Sequence, residues 1–321
     1  MPAMTGVSPL ITPGPTPFPG MVWVPAGTYR MGSDQHYPDE APAHPVSVDG
    51  FWMDATPVTN AQFRHFVEDS GYVTFCEIAP DASQYPGANA AILAPASVVF
   101  VQPAGPVDLH KHHQWWRFVA GADWRHPQGP DSSLAGRDNH PVVHVAYADI
   151  EAYAKWAGKQ IPTEAEFEWA ACGGSDGVFP WGDELAPGGR HLANTWQGEF
   201  PWQNLAEDGH VGTSPVGAYP ANAYGLWDMI GNVWEWTCDW YSPRHAKAEA
   251  KACCIPSNPR GGMRDDSFDP AQPIRIPRKV MKGGSHLCAP NYCRRYRPAA
   301  RMAQPVDTST SHLGFRCVSR P

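Results

Sequence analysis

GGSHLCAPNYCRRYR, residues 283–297, places Cys288 and Cys293 five positions apart in a stretch dense with Gly, Pro, Asn and Arg. The Pro290-Asn291 pair favours a turn that folds the stretch back and brings the two sulfurs to one point. From spacing alone, the pair is consistent with a local disulfide, two buried thiols, a metal clip or a reactive centre.

Ligand chemistry distinguishes the metals that such a pair could bind. Zinc needs two further ligands, and no second CxxC or HxxxH pair lies nearby in the sequence. Cu(I) is a soft ion that thiolates favour, so two cysteines suit it better. Arg294, Arg295 and Arg297 follow at once, and cationic neighbours lower the pKa of a thiol and favour the thiolate.

Composition predicts a folded, loop-rich protein. The chain has 321 residues, of which 42% are hydrophobic and 12% aromatic, which is typical of a globular domain. Its 35 Pro and 30 Gly favour long loops and little regular helix. We therefore predict one α+β domain with a low share of regular secondary structure. A net charge of −8 argues against a non-specific nucleic-acid binder and favours a partner that carries positive charge.

The termini and the cysteine count bear on the compartment. The sequence contains no run of about 18 apolar residues, so it predicts no membrane-spanning helix. Residues 1–20 lack a cationic start and are broken by prolines, so we interpret them as a flexible leader rather than a secretory signal. Eight cysteines are too few for a disulfide scaffold of this length. We expect a cytoplasmic protein and, without an obvious apolar repeat, a monomer.

Local patterns predict the first elements. Alternating apolar residues around a Pro-Ala-Gly turn at 21–33 predict a hairpin, and 44–59 predicts a further strand. Capping boxes at Thr59 and Thr163 predict helix starts, the first helix ending at Gly71. A helix over 149–157 is predicted between them. Two segments rich in turn residues, 77–140 and 241–280, are predicted to be long loops.

The cysteine stretch is also the centre of a family resemblance. GGSHLCAPNYCRRYRPAAR (283–301) and SHLGFRC (311–317) resemble the C-terminal signature of the formylglycine-generating enzymes, also called sulfatase-modifying factors. Further blocks occur in the order found in that family: VPAGTYRMGS (24–33), PVTNAQF (57–63), HPVVHVAYADIEAYAKWAGKQIPTEAEFEWA (140–170), ANTWQGEFP (193–201) and YGLWDMIGNVWEWTCDW (224–240). The two-cysteine loop is the block most specific to the oxidising branch.

The resemblance implies a fold and an activity. It implies a single C-type-lectin-like catalytic domain over 21–321. It also implies that Cys288 and Cys293 hold Cu(I), and that O2 oxidises the cysteine of an unfolded sulfatase Cys-x-Pro-x-Arg segment to Cα-formylglycine. Ser285 and Trp234 correspond to residues that line the oxygen side of the pocket. An ordinary turn hydroxyl and a core tryptophan are the alternatives for these two residues.

The resemblance further implies two structural calcium sites and a substrate groove. Calcium is a hard cation that takes oxygen ligands from side chains and backbone carbonyls. The implied ligands are Asn194, Asp208 and the carbonyls of Thr195 and His210 in the first site, and Asp228, Glu235 and the carbonyls of Gly231 and Val233 in the second. The groove residues are Trp115, Trp116, Arg295, Ser309 and His312.

Three positions depart from the family pattern. Ala289 stands where His is common, His312 where Asn is usual, and Pro298 where some relatives have cysteine. His312 bears on fine substrate preference because it lies close to the implied groove, and Pro298 removes one possible disulfide. For Arg301, buried hydrogen bonds that hold the loop are the favoured role.

The remaining cysteines and a histidine-rich stretch have weaker assignments. Cys172 and Cys317 correspond to positions that are paired in some relatives, and free thiols are an equal alternative. The adjacent Cys253 and Cys254 have no assigned role. DLHKHHQWW (108–116) could bind a transition metal, but a polar loop with incidental histidines is the preferred interpretation.

Two other functions compete with the oxidase. A sulfoxide-synthase-like member of the same superfamily would need an iron-binding histidine set, and the chain has no HxxxH-spaced helix to supply one. A non-catalytic peptide-binding scaffold of the same fold would not need two cysteines flanked by arginines.

Overall fold

The computed structural model describes residues 14–84, 93–245 and 255–321. Three α-helices and eleven short strands lie within these ranges, beside several 3-10 turns. The helices are α1 (Asn60–Ser70), α2 (Tyr147–Trp156) and α3 (Glu164–Cys172). The strands are β1 (Met21–Val24), β2 (Gly27–Met31), β3 (His44–Val48), β4 (Phe51–Asp54), β5 (Ala96–Phe100), β6 (Trp116–Ala120), β7 (Trp234–Trp240), β8 (Arg278–Lys282), β9 (Arg301–Pro305), β10 (Leu313–Gly314) and β11 (Val318–Ser319).

The strands form four small sheets. The largest has the order β10-β7-β8-β9, and the next has the order β1-β4-β11. The other two are the pairs β2-β3 and β5-β6. Since β8 ends at Lys282 and β9 begins at Arg301, the cysteine stretch is the connection between two paired strands of the largest sheet. This loop-rich α+β architecture agrees with the fold class predicted from the sequence.

The predicted hairpin at 21–33 is wrong. Both strands exist, but β1 pairs with β4 and β2 pairs with β3. Likewise, the single strand predicted over 44–59 is two strands, which break at Asp49-Gly50. Alternation of apolar residues predicts extended backbone but not its partner. The partner follows from burial, because Val24 packs in one cluster with Phe51 and Met53.

The helix predictions are confirmed. Thr59 and Gln62 form the predicted capping box, and α1 ends before Gly71, whose φ is +67°. The Thr163 capping box begins α3. The remaining predicted helix is α2, which begins at Tyr147, two residues before the predicted start. Its start is stabilised by the Asp149 carboxylate, which accepts a hydrogen bond from Ala146 N at 2.7 Å.

The prediction that 77–140 is a long loop is wrong in part. Strands β5 and β6 lie inside it and pair antiparallel, with Val98 opposite Phe118 and Phe100 opposite Trp116. Because fifteen residues separate the two strands, local sequence patterns do not reveal that they pair. This hairpin turns out to support the candidate site.

The main hydrophobic core lies between α1, α2 and the largest sheet. It contains Phe63, Tyr153, Trp236 and Phe315, and Cys288 belongs to the same cluster. The cysteine stretch is therefore attached directly to the core. Among the residues that the structure describes, no helix is both long and apolar enough to span a membrane.

Candidate active site

The cysteine loop begins with a tight glycine turn. Gly283 and Gly284 have φ of +91° and +74°, a region that favours glycine. A Cβ at Gly284 would also meet the Arg295 carbonyl oxygen at 2.8 Å. Backbone hydrogen bonds then hold both cysteines, from Cys288 N to Ser285 O and from Cys293 N to Ala289 O, each 2.9 Å long.

The two sulfurs lie 3.4 Å apart and both cysteines are free thiols. This separation is far longer than the roughly 2.05 Å of a disulfide bond. Cys288 is 2% exposed, whereas Cys293 is only partly buried. The loop thus presents two soft donors to one point, with Cys293 on the more accessible side.

The two thiols differ in acidity. Burial raises the pKa of Cys288 well above its usual value. The pKa of Cys293 is lowered, chiefly by the hydrogen bond from the Cys288 thiol, and also by the Arg295 amide and the charges of Arg295 and Arg297. Of the two thiols, Cys293 is therefore the more readily deprotonated, and a thiolate is the form that a soft cation binds.

Of the two residues predicted to line the oxygen side, Ser285 contacts Cys288, and Trp234 belongs to the same core cluster. Ser285 is fully buried, and its N–H points to the Cys288 sulfur at 3.4 Å. Its hydroxyl accepts a hydrogen bond from Leu287 N at 3.2 Å. Trp234 begins β7, is 2% exposed and shares the core cluster of Cys288.

An aromatic cluster packs against the other side of the loop. Trp115, Trp196 and Phe200 are buried there with Leu287 and Ala289 of the loop. Trp115 is predicted from the sequence to line the substrate groove, but it is fully buried in this cluster. The sequence analysis assigns no role to Trp196 or Phe200. Both belong to the ANTWQGEFP block (193–201), one of the blocks that carry the family resemblance.

Tyr292, between the two cysteines, was also missed. It stacks on Phe200 with ring centroids 4.5 Å apart and planes 9° apart. Its pKa is raised to about 12, first by burial and then by the cysteine charges. The ring joins the cysteine loop to the aromatic cluster.

Of the groove residues, Trp116, Ser309 and His312 lie along the β5-β6 hairpin. The Trp116 and His312 rings are 4.9 Å apart. The Ser309 hydroxyl lies 2.7 Å from that of Ser97 in β5. Burial lowers the pKa of His312 to about 3, so its imidazole is neutral at physiological pH.

Arg295 lies apart from these groove residues. Its guanidinium pairs with both oxygens of Asp39, at 3.0 and 3.1 Å. Arg301 is buried and pairs with Glu164 at 2.7 and 3.0 Å. It also donates to the carbonyls of Asp39 and Ser242. These contacts agree with the structural role favoured for Arg301.

A family model described as "Sulfatase-modifying factor enzyme 1-like domain" matches residues 7–321. The chain belongs to this family. It is 53% identical to the formylglycine-generating enzyme of Mycobacterium tuberculosis over 94% of this chain and 98% of that protein. It is 44% identical to the formylglycine-generating enzyme of Mus musculus over 97% of this chain and 78% of that protein. The solved structure of PvdO from Pseudomonas aeruginosa has the same fold, with a TM-score of 0.63, 23% identity and 94% of each chain covered.

The first calcium site implied for a member of the sulfatase-modifying-factor family lies in one hydrogen-bonded loop. Asp208 Oδ1 accepts a hydrogen bond from His210 N at 3.0 Å. Gln197 links the Thr195 carbonyl to Asp208 N, and Asn194 is 1% exposed. All four implied ligands supply oxygen, which suits calcium.

The second implied site has a competing partner. Both oxygens of Glu235 accept hydrogen bonds from Arg316 at 2.8 to 3.1 Å, and both side chains are buried. Asp228 accepts a hydrogen bond from Gly217 N at 2.8 Å. Since a guanidinium already neutralises Glu235, these residues fit calcium less well than the first set.

The other cysteines do not pair among the described residues. Cys172 and Cys317 are both free thiols, so the structure shows the alternative to a disulfide. Cys253 and Cys254 lie outside the described residues. No group of three or more His, Cys, Asp or Glu side chains that could hold a metal occurs in the described ranges, and the histidines of 108–116 are no exception.

Proposed function

We propose that this chain is a formylglycine-generating oxidase. Its substrate would be the cysteine of a Cys-x-Pro-x-Arg segment in an unfolded sulfatase, its oxidant O2, and its cofactor Cu(I) held by Cys288 and Cys293. The observation that carries the proposal is the pair of free sulfurs 3.4 Å apart on a loop joined to the core. The names of the most similar relatives support the same activity.

The two cysteines would have different tasks. Bound Cu(I) would supply the redox chemistry and the affinity for oxygen. Cys288 is anchored by burial and by the Ser285 N–H, so it would fix the position of the ion. Cys293 is more accessible, so the substrate sulfur would approach from its side. Ser285 and Trp234 would line the buried side and exclude water.

The conversion requires a reductant beside oxygen. Oxidation of the substrate CH2–SH to an aldehyde removes two electrons, and its sulfur leaves as hydrogen sulfide. Reduction of O2 to water takes four electrons, so two more come from an external thiol reductant. Neutral His312 and the Trp116 ring beside it would contact the substrate segment without adding charge.

Calcium, compartment and assembly complete the proposal. Calcium at Asn194, Thr195, Asp208 and His210 would stiffen a loop that lacks regular secondary structure. Calcium at Asp228, Gly231, Val233 and Glu235 stays a weaker prediction, because of Arg316. We further propose a cytoplasmic monomer that binds neither nucleic acid nor membrane.

A mass-spectrometric assay tests the oxidase. A Cys-x-Pro-x-Arg peptide is incubated with the protein, Cu(I), oxygen and a thiol reductant. The exchange of the sulfhydryl for an aldehyde should appear only with copper, and should vanish in Cys288→Ser and Cys293→Ser. Cys172→Ser is the matched control, because this free thiol lies in α3, and it should retain activity.

The alternatives predict other results. A peptide that binds but stays unmodified with copper present would identify a binding scaffold. Turnover that needs iron and survives both cysteine substitutions would favour the sulfoxide-synthase-like chemistry.

A further inference from the structure

A short acidic turn from the other end of the sequence lies against the cysteine loop. Residues 37–40, Tyr-Pro-Asp-Glu, form this acidic turn, with a single 3-10 turn at Pro38–Glu40. It is itself held in place, because Ser33 N donates to Glu40 O at 3.0 Å. Gly32 also packs closely against that carbonyl, where a side chain would clash.

The acidic turn holds the residues that directly follow Cys293. The Tyr37 hydroxyl accepts a hydrogen bond from Arg294 N at 3.0 Å. Asp39 binds the Arg295 guanidinium through both oxygens, at 3.0 and 3.1 Å. The same guanidinium lies 3.9 Å above the Tyr37 ring. Two successive residues of the loop are therefore fixed by one turn.

A second ion pair extends this contact. Arg297 binds both oxygens of Glu40 at 2.6 and 2.9 Å, and the two side chains are 3% and 0% exposed. Arg297 Nε also donates to Arg294 O at 2.9 Å, which closes the backbone of 294–297 into a ring. Paired charges this deeply buried hold one geometry, because breaking one partner leaves the other uncompensated.

The two cysteines differ in how they are anchored. Cys288 is held by burial in the core and by the Ser285 turn. Cys293 is more exposed, and on its C-terminal side its backbone leads straight into the residues held by the acidic turn. We propose that Tyr37 and Asp39 are positioning residues that keep the Cys293 sulfur close to that of Cys288 and so preorganise the copper site.

The inference rests on the proposed function only for the copper measurement. Crosslinking of the two thiols in metal-free protein therefore tests it independently. A bifunctional bimane fluoresces when both of its arms have reacted with neighbouring thiols. It is applied to the metal-free protein in a Cys253→Ser/Cys254→Ser background, which removes the other cysteines that are adjacent in sequence. In the copper arm, Cu(I) affinity is measured anaerobically by competition with bathocuproine disulfonate.

Asp39→Asn should slow the crosslinking and weaken Cu(I) binding by about 10-fold or more, the scale seen when a group that orients a metal ligand is lost. Asp138→Asn is the matched control. Asp138 makes an exposed ion pair with Arg64, and its removal should change neither quantity. Because Asp39 acts through Arg295, the double variant Asp39→Asn/Arg295→Gln should bind Cu(I) no more weakly than the weaker of the two single variants.

Other outcomes overturn the proposal. Unchanged crosslinking and affinity in a folded Asp39→Asn would show that the turn is only structural. Tighter copper binding would show that Asp39 tempers the charge of Arg295 instead of positioning the loop. If Asp39→Asn does not fold, Tyr37→Phe decides, because it keeps the ring and removes only the acceptor for Arg294 N. Wild-type crosslinking rates in Tyr37→Phe would then refute the inference. Wild-type protein that crosslinks but binds no Cu(I) would refute the proposed function alone.

Discussion

The cysteine loop and the lone cysteines of the core show two uses of the same side chain. Cys76, Cys172, Cys238 and Cys317 are free, and burial raises the pKa of each, to about 12 for Cys76 and Cys172 and about 11 for Cys238. Cys293 is the one described thiol whose pKa is lowered. Burial alone raises the pKa of a thiol and so makes it unreactive. A second thiol that donates a hydrogen bond lowers the pKa again.

The two regions are also held differently. Cys317 is buried in the main hydrophobic core, and Cys238 and Cys76 make isolated polar contacts with Arg260 and the His144 carbonyl. The loop after Cys293, in contrast, is held by the ion pairs of Arg295, Arg297 and Arg301. The following predictions, ordered from the largest expected effect to the smallest, test how the ion pairs and the thiols contribute to stability and to thiol acidity.

The largest effect is expected where the loop joins β9. Arg301→Gln removes the cation that hydrogen-bonds both oxygens of the buried Glu164 and leaves it only Lys282 at 3.9 Å as an ion pair. The free energy of unfolding should therefore fall by about 3–5 kcal/mol. Chemical denaturation measures it. Arg30→Gln breaks an exposed pair with Asp34 and should change stability by less than about 1 kcal/mol. Equal losses of unfolding free energy in the two variants would contradict the idea that buried ion pairs stabilise the fold more than exposed ones do.

The same ion pair predicts a dependence on pH. Burial opposes ionisation of Glu164, but Arg301, His245 and Lys282 lower its pKa to about 2. The folded pKa lies below the unfolded one, so this carboxylate stabilises the fold above about pH 4.3. That contribution is lost as the pH falls towards 2. Denaturation midpoints of wild type and Arg301→Gln should therefore converge across this window, and parallel curves would contradict it.

A moderate effect is expected for a lone thiol. Cys317 is fully buried, and Cys317→Ser would bury a hydroxyl at a cost of about 1–3 kcal/mol. Cys317→Ala should be less destabilising, because it adds no polar atom. Both proteins should keep wild-type peptide conversion where they remain folded. Loss of conversion in folded Cys317→Ala would mean that this thiol does more than pack.

The smallest effect concerns acidity. In metal-free protein, Cys288→Ala removes the hydrogen bond that is the main cause of the lowered pKa of Cys293, so this pKa should rise. The extent of Cys293 alkylation by iodoacetamide is measured by peptide mapping at a series of pH values. Alkylation should begin at a higher pH in Cys288→Ala than in the wild type. Cys172 should stay unreactive at neutral pH in both proteins. An unshifted profile would assign the low pKa to Arg295 and Arg297 instead.

Local sequence determined the helices and the identity of the sulfur pair. The capping boxes at Thr59 and Thr163 were predictable because a cap is built from residues three positions apart. The Pro-Asn turn likewise brings Cys288 and Cys293 together within five positions.

Tertiary structure alone decided the partners. β1 pairs with β4 rather than β2, Glu235 pairs with Arg316, and Asp39 meets Arg295 across 256 positions of sequence. Strand pairing and ion pairing over such distances depend on which apolar faces are buried together, and no local pattern records that choice. The sequence by itself thus determined which atoms could do the chemistry, and only the fold decided how they are held.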